Sequence, residues 1–326
     1  MANKKILVAL SKLEQRHEAL YLDQANGSAH SCDIRFIKTE DVTEEDVRGM
    51  NGIIGYLDVG LLHAADQLEW IHLSWSGVDA FIKPGVLDAS VTVCNARGAH
   101  GLAVSEHMVA LTMTLVRRLY AYRDNQKQRH WEMLGNTVSV EGATIAVLGT
   151  GNIGGDYARK VHAMGAHVIG VRRTNGVRPE GVDEQLTIEH LDEVLPKADI
   201  VAMNLPGGAA TANLMDERRL RLMKKGSFLI NVGRGTSVDQ EALKKVLDEG
   251  HLAGAGLDVT VPEPLPADDP LWDAPNLFIT PHVSGGRHLN ETTVRLYGIL
   301  EENLKHYLKG EELKNIVDLQ TGYRRP

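Results

Sequence analysis

The segment Thr144-Ile-Ala-Val-Leu-Gly149-Thr-Gly151-Asn-Ile-Gly154 constrains the fold of this chain more than any other. A short apolar run feeds directly into Gly149-x-Gly151-x-x-Gly154, and a helical pattern carrying Ala158, Val161 and Met164 follows. Each glycine has its own task in such a strand-to-helix turn. Gly149 makes the tight turn, Gly151 lets backbone approach a pyrophosphate, and Gly154 lets helix and strand pack closely. The helix that starts at Asn152 and Ile153 then offers its unpaired N–H groups to the phosphates. A glycine triplet alone often marks a plain turn. With strand, loop and helix in this order, it predicts a dinucleotide site.

The rest of the chain reads as the same alternation of strand and helix, the signature of parallel sheets covered by helices. Runs at Lys5–Leu10, Asp33–Ile37, Gly52–Tyr56, Trp70–Leu73 and Val91–Cys94 predict a small open sheet in the first third. A long helical stripe through Leu102, His107, Leu111, Leu115 and Leu119 spans about 100–122. Six further runs, Thr144–Leu148, His167–Val171, Ile200–Asn204, Ser227–Asn231, Ala255–Val259 and Leu277–Thr280, match a doubly wound dinucleotide domain. The amphipathic segment Glu291–Leu308 has no strand after it to extend that sheet. It is placed back on the first domain. The expected fold is thus α/β, with two doubly wound parallel-sheet domains: a flavodoxin-like substrate domain (1–98 plus 289–326) and a Rossmann dinucleotide-binding domain (99–288). The substrate is expected in the cleft between them.

The end of the second strand of the dinucleotide domain selects the cofactor. An acidic residue normally holds the ribose 2′-hydroxyl there, about 20 residues past the loop. Here the position reads Arg172-Arg173-Thr174, and no Asp or Glu lies between Asp156 and Glu180. A carboxylate would repel a 2′-phosphate, whereas a guanidinium pairs with it in bidentate fashion. Two readings stand: a solvated basic turn, or a preference for NADP(H) over NAD(H).

Three later segments follow strands of the second sheet, at the edge where ligands of such sheets bind. They are Asn231-Val-Gly-Arg234-Gly, Gly256-Leu-Asp258-Val-Thr-Val-Pro-Glu263-Pro, and Thr280-Pro-His282-Val-Ser-Gly-Gly. An arginine fork can hold a keto oxygen and a carboxylate together. A histidinium can donate a proton as hydride arrives at carbon, and takes it back in the reverse direction. A carboxylate beside the imidazole favours its charged form and fixes its orientation. Singly, each residue has a bland explanation: an arginine capping carbonyls, a solvated glutamate, a structural histidine. Their order along the chain outweighs those.

In that order the chain resembles the D-isomer-specific 2-hydroxyacid dehydrogenase family over essentially its whole length. The shared marks are strand–GxGxxG–helix, Asn-x-x-Arg-Gly, Asp-Val-x-x-x-Glu-Pro and a late Pro-His. The resemblance implies that Arg234 binds substrate, Glu263 and His282 form the acid–base pair, and Asp258 holds the nicotinamide carboxamide. It also gives Asn152, Ile153, Leu205, Pro206 and Val232 to the cofactor. Ser74-Trp-Ser76-Gly77-Val78-Asp79 resembles the family's Gly-Val-Asp loop, so Ser76, Gly77 and Val78 are the expected receivers of the substrate carboxylate. The 100–135 segment resembles the family's dimer-forming arm, so a homodimer is expected. Departures are Ser105 in place of the usual alanine before Glu106, and Gly207-Gly-Ala-Ala where the family is Thr-rich.

The implied function is hydride transfer between NAD(P) and a small 2-keto or D-2-hydroxy acid, of the glyoxylate/hydroxypyruvate or D-3-phosphoglycerate type. Formate dehydrogenase is the rival enzyme, but it carries an amide where Glu263 stands. A dinucleotide-sensing corepressor is the rival from another class. The lack of long flanking tails argues against it.

Composition narrows the rest. A net charge of −8 without any basic block disfavours a nucleic-acid partner. No run reaches the roughly 18 apolar residues of a membrane span, and the opening MANKKILVAL is too short for a signal-peptide core. Two cysteines, Cys32 and Cys94, make no disulfide framework and suggest the cytoplasm. Cys94 reads as a buried strand residue. Trp70, Trp75 and Trp131 read as packing residues, with Trp75 also able to line a substrate pocket. His100 and His107 lack a third ligand, so no metal is expected and both read as structural.

Overall fold

The computed structural model describes residues 4–11, 17–18, 21–23, 32–174, 176–286 and 289–319. The first three residues and the last seven of the expected substrate domain therefore lie outside it. The chain divides into two compact units, residues 1–100 with 287–326 and residues 101–286.

The first unit is built on five parallel strands: β1 (Lys4–Ala9), β2 (Cys32–Ile37), β3 (Gly52–Gly55), β4 (Trp70–Leu73) and β5 (Thr92–Cys94). Their order is β2-β1-β3-β4-β5, the flavodoxin-like arrangement. Alternate residues feed two cores. Leu7, Ile53, Ile71 and Val93 face one side, and Ile6, Ile54, Trp70 and Cys94 face the other. The helix Asn290–Lys309 covers the second side with Leu296, Leu300 and Leu304 and ends at Gly310, whose φ of 69° supplies the left-handed cap.

The second unit holds seven parallel strands: β6 (Thr144–Leu148), β7 (His167–Arg172), β8 (Glu184–Thr187), β9 (Ile200–Met203), β10 (Phe228–Asn231), β11 (Gly254–Leu257) and β12 (Leu277–Ile279). The order is β12-β11-β10-β9-β6-β7-β8, so successive strands are added in opposite directions on either side of the β6–β9 boundary. Burial on both faces explains the unbroken apolar runs in β6, β9 and β10. Helices Gly101–Val116 and Asn152–Ala163 pack on the face of Ile145, Val147 and Ile200. Helices Glu217–Leu222 and Gln240–Asp248 pack on the face of Leu148, Val201 and Leu229.

Two elements differ from the sequence expectation. β8 carries only Leu186 as an apolar residue and pairs with β7 alone, so a half-buried edge strand gives no hydrophobic run to detect. The long helix is also broken. Arg118 takes φ 52° and ψ 37°, separating Gly101–Val116 from Leu119–Lys127. The periodicity survives the break, but Leu119 is exposed while Leu111 and Leu115 are buried.

Candidate active site

All seven strands of the second unit run parallel, so every loop that follows a strand lies along one sheet edge. Reading across the strand order places the candidates in sequence: His282 after β12, Asp258 and Glu263 after β11, Arg234 after β10, Leu205 after β9, Gly149–Gly154 after β6, and Arg172–Arg173 at the end of β7. The groups suited to proton transfer are at one end of this edge, the glycine loop and basic turn toward the other.

The glycine loop has the geometry its chemistry demands. Gly149 has φ +97°, and its N–H donates to the Val171 carbonyl at 2.7 Å, turning the chain sharply off β6. A Cβ on Gly154 would lie 1.9 Å from the Gly149 carbonyl oxygen, so no side chain fits. A Cβ on Gly151 would meet nothing within 4 Å, and this residue caps the helix Asn152–Ala163 without a side-chain hydrogen bond. The helix N-terminus is thus unobstructed at Gly151, where its positive dipole end lies. These features fit a dinucleotide pyrophosphate. Thr150 Oγ1 donates to Gln185 Oε1 at 2.9 Å, which ties the loop to β8.

At the end of β7, Arg172 Nη1 donates to the Val177 carbonyl at 3.2 Å, leaving the guanidinium half-buried, whereas Arg173 is exposed. Across the switch point, Leu205 backs onto Gly233, where a Cβ would lie 2.5 Å from the Leu205 carbonyl oxygen. The Gly-Gly-Ala-Ala stretch after Pro206 is closed by Thr211, whose hydroxyl donates to the Pro206 carbonyl at 2.8 Å. Val232 is buried in the core beneath this edge.

Arg234 is presented by a loop that Asn231 closes. The Asn231 amide donates to the Arg234 carbonyl at 2.8 Å, and its oxygen accepts the Gly233 N–H at 3.0 Å. Arg234 Nη1 donates to the Gly233 carbonyl at 2.8 Å. Gly235 lies so close to the next loop that a Cβ would be 2.2 Å from the Thr260 carbonyl oxygen.

Glu263 and His282 come from different strands and meet. Glu263 Oε2 lies 2.7 Å from His282 Nδ1, and Glu263 Oε1 accepts the Thr260 N–H at 3.1 Å. His282 Nε2 has no hydrogen-bond partner among the described residues. A ring held at Nδ1 by a carboxylate keeps Nε2 available to a substrate oxygen.

Asp258 is buried, and its carboxylate organises the loop around that histidine. Oδ1 accepts from Thr280 Oγ1 at 2.6 Å and from the Val283 N–H at 2.9 Å, and Oδ2 accepts the Ser284 N–H at 3.0 Å. His282 itself has φ +50°, an uncommon conformation for a residue with a side chain, and its N–H donates to the Asp258 carbonyl at 2.8 Å. Sequence reasoning passed over Asn231, Thr260 and Thr280, the hydrogen-bonding residues that set these loops. His107, read from the sequence as structural, has its Nε2 3.0 Å from Thr280 Oγ1.

In the first unit, Ser76, Gly77 and Val78 follow β4. Asn95 Nδ2 donates to the Ser76 carbonyl at 2.9 Å and fixes the loop. The backbone N–H groups of Gly77 and Val78 make no hydrogen bond among the described residues. The Val78 side chain is buried in the core, whereas Trp75 is partly exposed and stacks on His100 with ring centroids 5.7 Å apart. Cys94 is buried in β5, and burial pushes its thiol up to about 11. Among the described residues, no group of three or more His, Cys, Asp or Glu could hold a metal ion. None of the described helices is long and apolar enough to cross a membrane.

The family model for the NAD-binding domain of D-isomer specific 2-hydroxyacid dehydrogenases matches residues 109–284. The chain belongs to the D-isomer specific 2-hydroxyacid dehydrogenase family. A glyoxylate reductase of Korarchaeum cryptofilum is 29% identical over 329 residues, covering 97% of this chain and 94% of that protein. A family member from Aeromonas salmonicida subsp. salmonicida has a similar structure, with TM-score 0.83, 29% identity, and coverage of 98% of this chain and 100% of that one. An NADPH-dependent glyoxylate/hydroxypyruvate reductase from Sinorhizobium meliloti, solved with NADP and sulfate, gives TM-score 0.82 at 26% identity, covering 98% of this chain and 100% of that one. As a 2-hydroxyacid dehydrogenase, the chain is an NAD(P)-dependent oxidoreductase.

Proposed function

We propose that this chain reduces small 2-keto acids of the glyoxylate or hydroxypyruvate type to D-2-hydroxy acids, with NADP(H) preferred over NAD(H). The Glu263–His282 pair at 2.7 Å, with Nε2 of the ring free among the described residues, carries the reading.

The dinucleotide, when bound, supplies the hydride; the open approach at Gly151, ahead of the helix start at Asn152 and Ile153, suits its pyrophosphate. His282 Nε2 gives its proton to the keto oxygen as the carbonyl is reduced, and recovers it from the hydroxyl in the reverse direction. Glu263 holds the opposite ring nitrogen, Nδ1, and orients the ring. Arg234 orients the keto acid through its guanidinium. Asp258 steadies the loop of His282 and is assigned to the carboxamide end of the cofactor, together with Val232 near it. Leu205 and Pro206 are assigned to the dinucleotide between those groups and the glycine loop. In the first unit, the N–H groups of Gly77 and Val78, in the loop anchored at Ser76, are assigned to a substrate carboxylate.

Arg172 and Arg173 stand where a ribose-binding acid would exclude a 2′-phosphate, which supports NADP(H). The reductase of Sinorhizobium meliloti was solved with NADP and supports the same choice. A homodimer is proposed through the 100–135 segment. Trp131 is fully exposed, at 103%, and Met133 is 89% exposed. They line a groove of about 920 Å³ with Leu119, Tyr122 and Arg129. We place the protein in the cytoplasm, which suits two unpaired cysteines.

A panel of 2-keto acids assayed with NADPH and with NADH tests the function. Turnover of glyoxylate or hydroxypyruvate with NADPH is expected. Negligible turnover of every keto acid with both cofactors would overturn the enzymatic reading.

A further inference from the structure

We infer that His107 is a positioning residue for the proton donor, acting through Thr280 and Asp258 on the loop that carries His282. The inference rests on the proposed role of His282.

Hydrogen counting fixes the direction of the chain. The Thr280 hydroxyl has one proton, and it goes to the buried Asp258 Oδ1 at 2.6 Å. The 3.0 Å contact between His107 Nε2 and Thr280 Oγ1 therefore uses a ring proton, with Nε2–H donating to the hydroxyl oxygen. The same nitrogen lies 3.7 Å from Asp258 Oδ1. Beyond Asp258, the N–H groups of Val283 and Ser284 converge on the carboxylate, and the N–H of His282 converges on the Asp258 carbonyl. The backbone on both sides of the histidine is thus tied to one buried residue. That residue is braced from behind by His107.

The brace is rigid because of how its helix sits. His107, Leu111 and Leu115 are four residues apart and share one helix face. Leu111 and Leu115 lie against Gly256, and Leu115 also lies against Gly254, where missing side chains allow the helix to approach β11. Gly254, Gly256 and Asp258 alternate along the same strand direction, so the helix stripe continues naturally from leucine on glycine to histidine beside aspartate. A left-handed φ of +50° at His282 is held by these bonds, and loosening one end should let the ring wander from the reacting geometry.

The experiment compares five variants in steady-state reduction of the best keto acid, with NADPH affinity measured separately by fluorescence. His107→Leu removes the donor. It should lower kcat by about tenfold or more, since small misplacements of catalytic groups cost up to about a hundredfold, while the NADPH Kd stays within about twofold of its original value. His107→Gln, which keeps an N–H near the position of Nε2, should restore most of the loss. Thr280→Val breaks the chain one link later and should give a similar loss of kcat. The double variant His107→Leu/Thr280→Val should be no worse than Thr280→Val alone, because both act on one chain. Wild-type kcat in His107→Leu, or losses that multiply in the double variant, would overturn the inference. If His107→Leu folds poorly, Thr280→Val alone decides: unchanged kcat sinks the idea. His282→Gln separates the two levels. If that change leaves turnover intact, the proposed function itself fails. If it abolishes turnover while His107→Leu is unaffected, only the bracing role fails.

Discussion

Glu263 Oε2 stands 2.7 Å from His282 Nδ1, and the other oxygen of the same carboxylate accepts the Thr260 N–H at 3.1 Å. The glutamate is therefore oriented by its own loop before it meets the imidazole. The pair joins a residue following β11 to one following β12, and a 2.7 Å contact between strand-end loops makes orientation of the ring a property of the sheet.

Replacing His282 by Gln should lower the reductive rate by about two to four decades at every pH, the usual worth of a positioned acid. Glu263→Gln nearly keeps the shape but removes the carboxylate that holds the ring at Nδ1, 2.7 Å away. It should lower the reductive rate less than His282→Gln does, because the imidazole itself remains. NADPH affinity should survive both changes. Near-normal turnover in His282→Gln would mean that the assigned chemistry is wrong.

The basic turn after β7 predicts cofactor choice. Neutralising both Arg172 and Arg173 should weaken NADPH binding by roughly one to two decades, the equivalent of about 1–3 kcal/mol, and spare NADH. Arg172 is half-buried with Nη1 on the Val177 carbonyl, and Arg173 is exposed. A wild-type protein that favours NADH would dispose of the proposal directly.

The segment after the helix break predicts assembly. Trp131 and Met133 are large apolar side chains left in solvent at 103% and 89% exposure. Sedimentation at micromolar concentration should give a dimer, and the double change Trp131→Asp/Met133→Asp should shift it toward monomer. A wild-type monomer under those conditions would count against the arm as an interface.

How much could be read in advance follows from burial. β6, β9 and β10 are fully inside the sheet, and both of their faces are apolar, so they stand out as runs. The strand Glu184–Thr187 pairs on one side only, and nothing in Glu-Gln-Leu-Thr separates it from a loop. The turn at Arg118 was equally silent, because φ +52° falls on an arginine and not on a glycine. In the site, spacing made Arg234, Glu263 and His282 visible as candidates. Distances between strands did not appear there. The 2.7 Å pairing of Glu263 with His282, the closure of the Arg234 loop by Asn231 and the approach of His107 to Thr280 depend on which strands are neighbours.

His72 on β4 predicts how stability changes with pH. The ring is fully buried, and burial pushes its pKa down to about 4 from an ordinary value of 6.5. Its Nε2–H donates to the Asn95 carbonyl at 3.2 Å, so Nδ1 is the bare nitrogen, and Asn303 Nδ2 lies 3.4 Å from it. The Asn303 amide is held in turn by the Lys314 backbone, with bonds of 2.8 Å in both directions. Protonating Nδ1 would set one donor against another inside the core. The unfolded chain takes up that proton below about pH 6.5, and the folded chain resists until about pH 4. Stability from this site is therefore complete above 6.5 and is lost as pH falls toward 4, a change of roughly 3 kcal/mol when the folded ring stays neutral throughout. His72→Gln retains a donor toward Asn95 but cannot titrate. The variant should be less stable than the original at pH 7, yet its urea midpoint should fall less steeply between pH 6.5 and 4. Parallel slopes for the two proteins across that window would show that His72 is not the group responsible.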